Sequence, residues 1–435
     1  MADYVLGLIQ AALDRAVERG EVGGANVLVL HHGHERWYAQ SGFRSISRAE
    51  AMSRDTIVRL YSQTKPITAV AAMILVERGL LDLAEPVSAY LPGFANQRVS
   101  TIPSKPLENN VPVENTRHHW LEPGDGETIG EPVQREACIK DLLTMRSGLA
   151  YPEPDSESGR LTGELFDEIG ARLHGTKPMG TVEIANRLGR LPLAFQPGKR
   201  FTYSTSADVL GAVIEVASGR RLGDFLREEI FEPLDMVDTG FFVPEPKLGR
   251  LAAIYEHPSD LSNTPAVDAA VDEDTTAHWS LKEVVTEHLG IPYAAATEPA
   301  FQSGGAGLRS TVDDYAHFAQ MMLNQGEWKG VRILSPTTVS MMTHNALDSD
   351  QLQDLQEWHP GCGYNALMRT VEDPAKAEFI TGQGTYGWYG WLGTYWANDP
   401  KADSVILFQT QLADTGVIPL TRRLSNIVAA GLCEG

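Results

Sequence analysis

The sequence predicts an α+β protein with strands near both chain ends and helices between them. Three observations carry this reading. An aliphatic, β-branched run near the N-terminus (residues 25–30, ANVLVL) and another near the C-terminus (residues 404–409, SVILFQ) read as buried strands. Between them, apolar residues recur at helical spacing in one segment after another.

The elements follow in order. Residues 1–20 place Val5, Leu8, Ile9, Ala12, Leu13 and Val17 among charged residues, an amphipathic helix and not the uninterrupted apolar core of a secretion signal. After strand 25–30, Gly33 marks a hairpin turn into residues 36–40, and His31, His32 and His34 read as a solvated turn because no further ligand recurs to complete a metal shell. Residues 67–83 are strongly helical, with Pro66 in the first turn and Gly79 as the cap. Residues 96–136, with Trp120 isolated among polar neighbours, read as an inserted surface loop. Helical patterns return at 139–145, 183–188, 207–217 (closed by Gly219) and 225–231 (before Pro233). A second irregular stretch, 258–297, precedes a helix at 311–324 opened by Thr311 with Asp313 and Asp314 in its first turn. Glycines and aromatics fill 384–396, strand 404–409 follows, and 420–432 closes the chain as a helix.

Composition removes whole classes of function. With 435 residues, 43% of them apolar and 21% charged, the chain has the makeup of an ordinary globular protein, which excludes disordered, collagenous and coiled-coil readings. The length admits two or three domains. Fifty-seven acidic against 36 basic residues leave a net charge of −21, which repels phosphate backbones and anionic lipid, so neither nucleic acid nor a membrane surface is expected as partner. Cys138, Cys362 and Cys433 are too few and too scattered for a disulfide framework or a zinc site; with no apolar stretch of membrane-spanning length, a cytoplasmic protein is expected.

The chemistry begins with what is missing: G-x-S-x-G, H-E-x-x-H and the phosphate-binding P-loop pattern are all absent. Ser62-Gln63-Thr64-Lys65 stands at the start of the helix over 67–83. A spacing of three puts the two side chains on one helix face, so the lysine can reach the serine hydroxyl. A hydroxyl is a poor nucleophile until its proton is removed, and a desolvated lysine of lowered pKa can remove it. The same spacing also occurs where a serine merely caps a helix. Tyr203, in PGKRFTYSTSADVLG, sits in a loop directly before a helix, and GWYGWLGTY over 387–395 interleaves glycines with large rings; each alone is also consistent with packing.

Together these segments resemble the serine β-lactamase and penicillin-binding-protein superfamily, in particular the class C-like branch that includes the family VIII carboxylesterases. The resemblance runs through 62–94, 139–148 (IKDLLTMRSG), 197–219, 230–241, 304–342 and 386–400. It implies an antiparallel sheet flanked by helices, with residues 1–60 and 300–435 forming an α/β sandwich domain and 61–299 a mostly helical domain carrying the two irregular insertions. It implies Ser62, Lys65 and Tyr203 as catalytic residues, with the backbone N–H groups of Ser62 and Trp391 as oxyanion hole. Trp388, Tyr389 and Gly390 match the K-T-G strand and, with Thr205, are expected to bind substrate. No metal or organic cofactor is implied.

The departures from the pattern bear on specificity. Thr205 replaces the Asn two residues after Tyr, and Trp388 replaces the cation of K-T-G, so charge-assisted holding of a β-lactam or peptide carboxylate is weakened and a small neutral ester is favoured. Met145 and Arg146 replace the usual His and Thr before Ser147-Gly148. The expected activity is ester hydrolysis through an acyl-enzyme on Ser62. An acyltransferase on the same apparatus, a D-aminopeptidase or weak β-lactamase, and a non-enzymatic ligand-binding scaffold are the alternatives.

Overall fold

The computed structural model describes residues 2–100, 130–257 and 281–432. Its centre is an eight-stranded antiparallel sheet. The strands are β1 (Gly24–His31), β2 (His34–Ser45), β3 (Glu50–Ala51), β4 (Cys362–Asn365), β5 (Met368–Val371), β6 (Tyr386–Tyr389), β7 (Tyr395–Asp399) and β8 (Ser404–Gln409). They lie in the order β4-β5-β6-β7-β8-β1-β2-β3, so N-terminal and C-terminal strands meet at the β1/β8 pair, where Val27 faces Phe408. The runs 25–30 and 404–409 are apolar except at Asn26, Ser404 and Gln409 because both faces of the sheet are covered. On β8, Val405 and Leu407 join Leu28 in one core, while Ile406 and Phe408 join Val27 and Val29 in the other.

The helices are α1 (Ala2–Glu18), α2 (Thr64–Glu77), α3 (Ile139–Leu143), α4 (Glu157–Arg172), α5 (Thr181–Arg190), α6 (Ser206–Ser218), α7 (Leu222–Leu226), α8 (Val312–Leu323), α9 (Pro336–Met342), α10 (Ser349–Gln356) and α11 (Pro419–Leu432). Val5, Ile9 and Leu13 of α1 and Leu424 and Val428 of α11 pack on one sheet face. Across the other, α8 lies against β7, β8 and β1, and α2 packs on α6 behind it. Phe318 and Tyr315 of α8 meet the buried Trp396 of β7 edge-on at 5.7 and 5.8 Å, the geometry the ring quadrupoles favour. The Thr311 hydroxyl accepts from the Asp314 N–H and caps α8, and Gly219, at φ 68°, ends α6 in the left-handed conformation.

Several elements differ from the sequence reading. Helix α2 starts at Thr64 and ends at Glu77, earlier at both ends than 67–83. Segment 225–231 divides into α7 and a π turn over Arg227–Phe231. Within the first irregular stretch Arg98–Val99 pairs with Glu131–Pro132, and within the second Lys282–Val284 pairs with Ile254–Glu256, which precedes it; residues 101–129 (with Trp120), 258–280 and Cys433 lie outside the described residues. Helix α4 and the β4–β5 hairpin have no counterpart in the sequence reading. His32 and His34 stand exposed on the β1–β2 turn, where His32 Nδ1 meets Asp403 at 2.9 Å. Among the described residues Cys138 and Cys362 are free thiols, and no helix is long and apolar enough to cross a membrane.

Candidate active site

The chain reaches Ser62 from the short strand Val58–Arg59, which pairs with Arg309–Ser310. Two buried guanidinium groups fasten this pair to its surroundings through backbone carbonyls. Arg59 donates to Tyr293 O (2.8 and 2.6 Å) and Ala252 O (2.8 Å), and Arg309 to Phe241 O and Gly307 O (both 2.7 Å) and Pro292 O (2.6 Å). Next comes Tyr61 at φ 45°, a left-handed conformation that costs a non-glycine residue about 1–3 kcal/mol. Its buried ring, 5.0 Å from that of Trp391, is held by packing. The bend delivers Ser62 into a 3₁₀ turn, Tyr61–Gln63, that runs straight into α2.

Lys65 lies one turn further on, fully buried, with Nζ 3.0 Å from Ser62 Oγ, 3.0 Å from Tyr151 Oη and 2.8 Å from Gly305 O. Desolvation pulls its pKa down to about 7, opposed only by the charge of Asp208. A neutral amine has two N–H bonds and one lone pair. Gly305 O and Tyr151 Oη can accept the two N–H bonds, which leaves the lone pair facing the Ser62 hydroxyl. Asp208, on α6, accepts from the Ser303 hydroxyl and from Gly305 N–H (3.1 Å), and so holds in place the segment that offers Gly305 O to Lys65.

Tyr203 stands on the other side of Ser62, which its hydroxyl hydrogen-bonds, and burial pushes its pKa well up, so it remains a phenol. Its loop is tied down where Thr202 N–H donates to Met145 O (3.0 Å) and Gly198 N–H to Arg146 O (2.8 Å). Of the Met145-Arg146 departure, the Arg146 guanidinium reaches Thr144 and Gln351. The Trp388 indole N–H donates to Tyr203 Oη at 3.1 Å.

That bond gives Trp388 a contact the sequence reading did not foresee. The ring has no exposed surface and is not part of the lining of the cavity that Ser62 opens onto; it stacks against Tyr389 at 4.9 Å and aims its N–H at the phenol. Thr205 is likewise fully buried, its hydroxyl 3.4 Å from Ala150 O, and also stays outside the cavity lining. Trp388→Phe keeps the packing and removes the donor. A neutral hydrogen bond of about 1 kcal/mol at a reacting phenol predicts a three- to tenfold fall in kcat on an ester, roughly; an unchanged kcat in steady-state assays would show the bond to be incidental.

Ser62 and Tyr203 open onto a cavity of about 460 Å³, walled also by Trp358, Tyr389, Trp391 and Arg369. Gly390 lets β6 approach the nucleophile turn: a Cβ there would fall 2.2 Å from Leu60 O. Among the described residues neither Ser62 N–H nor Trp391 N–H has a protein acceptor, so both remain free to bind an oxyanion. Sequence reasoning missed Tyr151 and Arg369. Tyr151 had one available signal, its place four residues after Ser147 at the end of the L-L-T-x-x-S-G segment.

A serine and a lysine three residues apart, at the head of a buried helix beside an antiparallel sheet, with a tyrosine from a second loop, are the parts of a serine hydrolase or acyltransferase site. Residues 9–427 match the family described as beta-lactamase, and the chain belongs to that family. Protein Rv1367c of Mycobacterium tuberculosis is 32% identical over 416 residues, 92% of this chain and 89% of that one. Esterase EstB of Burkholderia gladioli is 29% identical over 428 residues, 97% of this chain and 94% of EstB. Among solved structures, EstCE1, described as a hydrolase with promiscuous acyltransferase activity, superposes with a TM-score of 0.74 at 25% identity, covering 98% of this chain and 99% of its own.

Proposed function

We propose that the protein hydrolyses carboxylic esters of small molecules through an acyl-enzyme on Ser62. The observation that carries this reading is the fully buried Lys65 amine 3.0 Å from Ser62 Oγ, with the Tyr203 phenol hydrogen-bonded to the same hydroxyl. Neutral Lys65 takes the Ser62 proton as Oγ attacks the ester carbonyl, and the developing oxyanion sits between the Ser62 and Trp391 N–H groups. Tyr203, still protonated, gives its proton to the departing alkoxide and is reprotonated from Lys65. Water attacks the acyl-enzyme by the reverse sequence and releases the acid. The 29% sequence identity with EstB, an esterase, supports an ester in place of a β-lactam. EstCE1's hydrolase and acyltransferase activities favour a second use of the same intermediate, in which an alcohol replaces water. The cytoplasmic location expected from the scattered free thiols belongs to this proposal.

The test is a panel of p-nitrophenyl esters and nitrocefin run on wild type and Ser62→Ala, with a fluorophosphonate probe. Ester turnover and labelling should both disappear in Ser62→Ala, with loss of at least about 10³-fold. A probe that labels the variant equally would remove Ser62 from the mechanism.

A further inference from the structure

Arg369 changes the electrostatics expected of the cavity. The sequence reading replaces the K-T-G cation by Trp388 and leaves the site without a positive charge. Strand β5 supplies one from the side: Arg369 pairs in register with Gly387 of β6, one residue before Trp388. Its side chain is 7% exposed and lines the cavity shared by Ser62 and Tyr203.

This guanidinium is poorly matched by protein. It donates one hydrogen bond, to Tyr395 Oη at 3.1 Å, and lies among the rings of Phe379, Tyr389 and Tyr395 at 5.7, 5.9 and 5.5 Å. Among the described residues no carboxylate comes within ion-pair distance of it. The cavity wall holds two carboxylates with other partners: Glu378, exposed and 3.7 Å from Arg422, and Asp414, which accepts from the Trp391 indole N–H at 3.1 Å. Arg59 and Arg309, the other deeply buried guanidiniums near the site, make the contrast plain, because each spends its donors on several backbone carbonyls. Arg369 keeps most of its five donors for the cavity, and a buried cation with spare donors is matched best by a bidentate carboxylate.

We propose that Arg369 is a specificity-determining residue that binds a carboxylate on the substrate, so that the preferred esters carry an acid group at a distance from the scissile bond. This rests on the ester-hydrolase reading of Ser62. The acid group can belong to the acyl part, as in a monoester of a dicarboxylic acid, or to the alcohol part, as in an acylated hydroxy acid. The protein's net charge of −21 gives an anion no help in approaching, so the selection resides in the cavity contact itself.

Two substrate pairs separate the possibilities. Mono-p-nitrophenyl glutarate against p-nitrophenyl pentanoate tests the acyl side, and 4-(butyryloxy)benzoate against phenyl butyrate tests the alcohol side. In wild type the acidic member of one pair should have the higher kcat/KM. Arg369→Met should lower that ratio at least tenfold, chiefly through KM, and Arg369→Lys should restore part of it. Circular dichroism establishes that both variants fold; should Arg369→Met fail to, the Arg369→Lys ratio, lowered because an ammonium cannot reproduce the bidentate fork, decides. Turnover of neutral esters with ratios unmoved by substitution would overturn this proposal and leave the hydrolase reading standing. No turnover of any of the four by wild type would overturn both.

Discussion

Lys65→Met should lower kcat/KM on a p-nitrophenyl ester by about 10²- to 10⁴-fold, the range in which a positioned general base contributes. Wild-type activity should rise with pH along a single limb centred near 7. The sign follows from burial. An ordinary lysine titrates at 10.5, but the fully buried Lys65 amine is pulled down to about 7 by desolvation, and only the neutral form can take the Ser62 proton. Activity is therefore lost as pH falls through 7 and reaches a plateau above it. Burial raises the Tyr203 pKa, so the phenol stays protonated and cuts off no part of the plateau in the ordinary alkaline range. Lys65→Arg should be inactive across the profile, because a guanidinium cannot be deprotonated there. Folding stability changes in the same direction. Between pH 7 and 10.5 the unfolded lysine holds a proton that the folded one does not, so the penalty for burying the amine is full below 7 and is relieved as pH rises to 10.5. A wild-type limb at 9 or above, absent from Tyr203→Phe, would assign the base to the phenol instead.

How much of this site can be read from sequence depends on how local each signal is. Ser62 and Lys65 are three residues apart where a 3₁₀ turn runs into α2, and Tyr203 stands at a loop-to-helix junction, so short-range geometry suffices for them. The role of Trp388 depends on which face of β6 meets the 203 loop, a long-range fact; the same ring that reads as substrate wall is in place a donor to Tyr203. Arg369 is hidden for a different reason. Its hairpin turns through Ala366 and Leu367 at φ 43° and 60°, left-handed positions usually marked by Asn or Gly, and here the turn is held instead by Asn365 Oδ1 accepting from Ala366 N–H and by Leu367 N–H donating to Leu143 O. Without the turn signal, β4 and β5 have no visible boundary. Helix α4 is obscured by Gly159, Gly163 and Gly170 and by a mostly polar sequence, although Thr162, Leu165, Phe166 and Ile169 face the core at helical spacing. Both chain-end strands are legible because a sheet covered on both faces favours apolar residues on both sides of each strand, here all but Asn26, Ser404 and Gln409, a run that propensity alone detects.

Gly390→Ala should give the second large effect, for a reason confined to backbone geometry. The added Cβ would lie 2.2 Å from Leu60 O and 2.3 Å from Thr394 Oγ1, both far inside contact distance. Neither neighbour can yield cheaply. Leu60 O accepts from Gln63 N–H at 3.2 Å and so belongs to the nucleophile turn, and Gly390 N–H is itself bonded to Thr394 O at 2.8 Å. Relief requires β6 to move away from the turn by about 1 Å, and the two N–H groups proposed for the oxyanion hole, those of Ser62 and Trp391, lie on opposite sides of that contact. A displacement of this size costs about 10² in rate, and loss of one oxyanion donor about 10²–10³. The expected result is a fall in kcat of at least about 100-fold with a smaller change in KM, and a destabilisation of about 1–3 kcal/mol by thermal melting. Gly170→Ala is the control: a Cβ there meets nothing within 4 Å and sits inside α4, so it should stabilise the fold slightly and leave kcat alone. If Gly390→Ala folds and turns over ester at the wild-type rate, then the close approach of β6 to the Ser62 turn has no part in catalysis, and the oxyanion must be held by donors other than the Trp391 N–H.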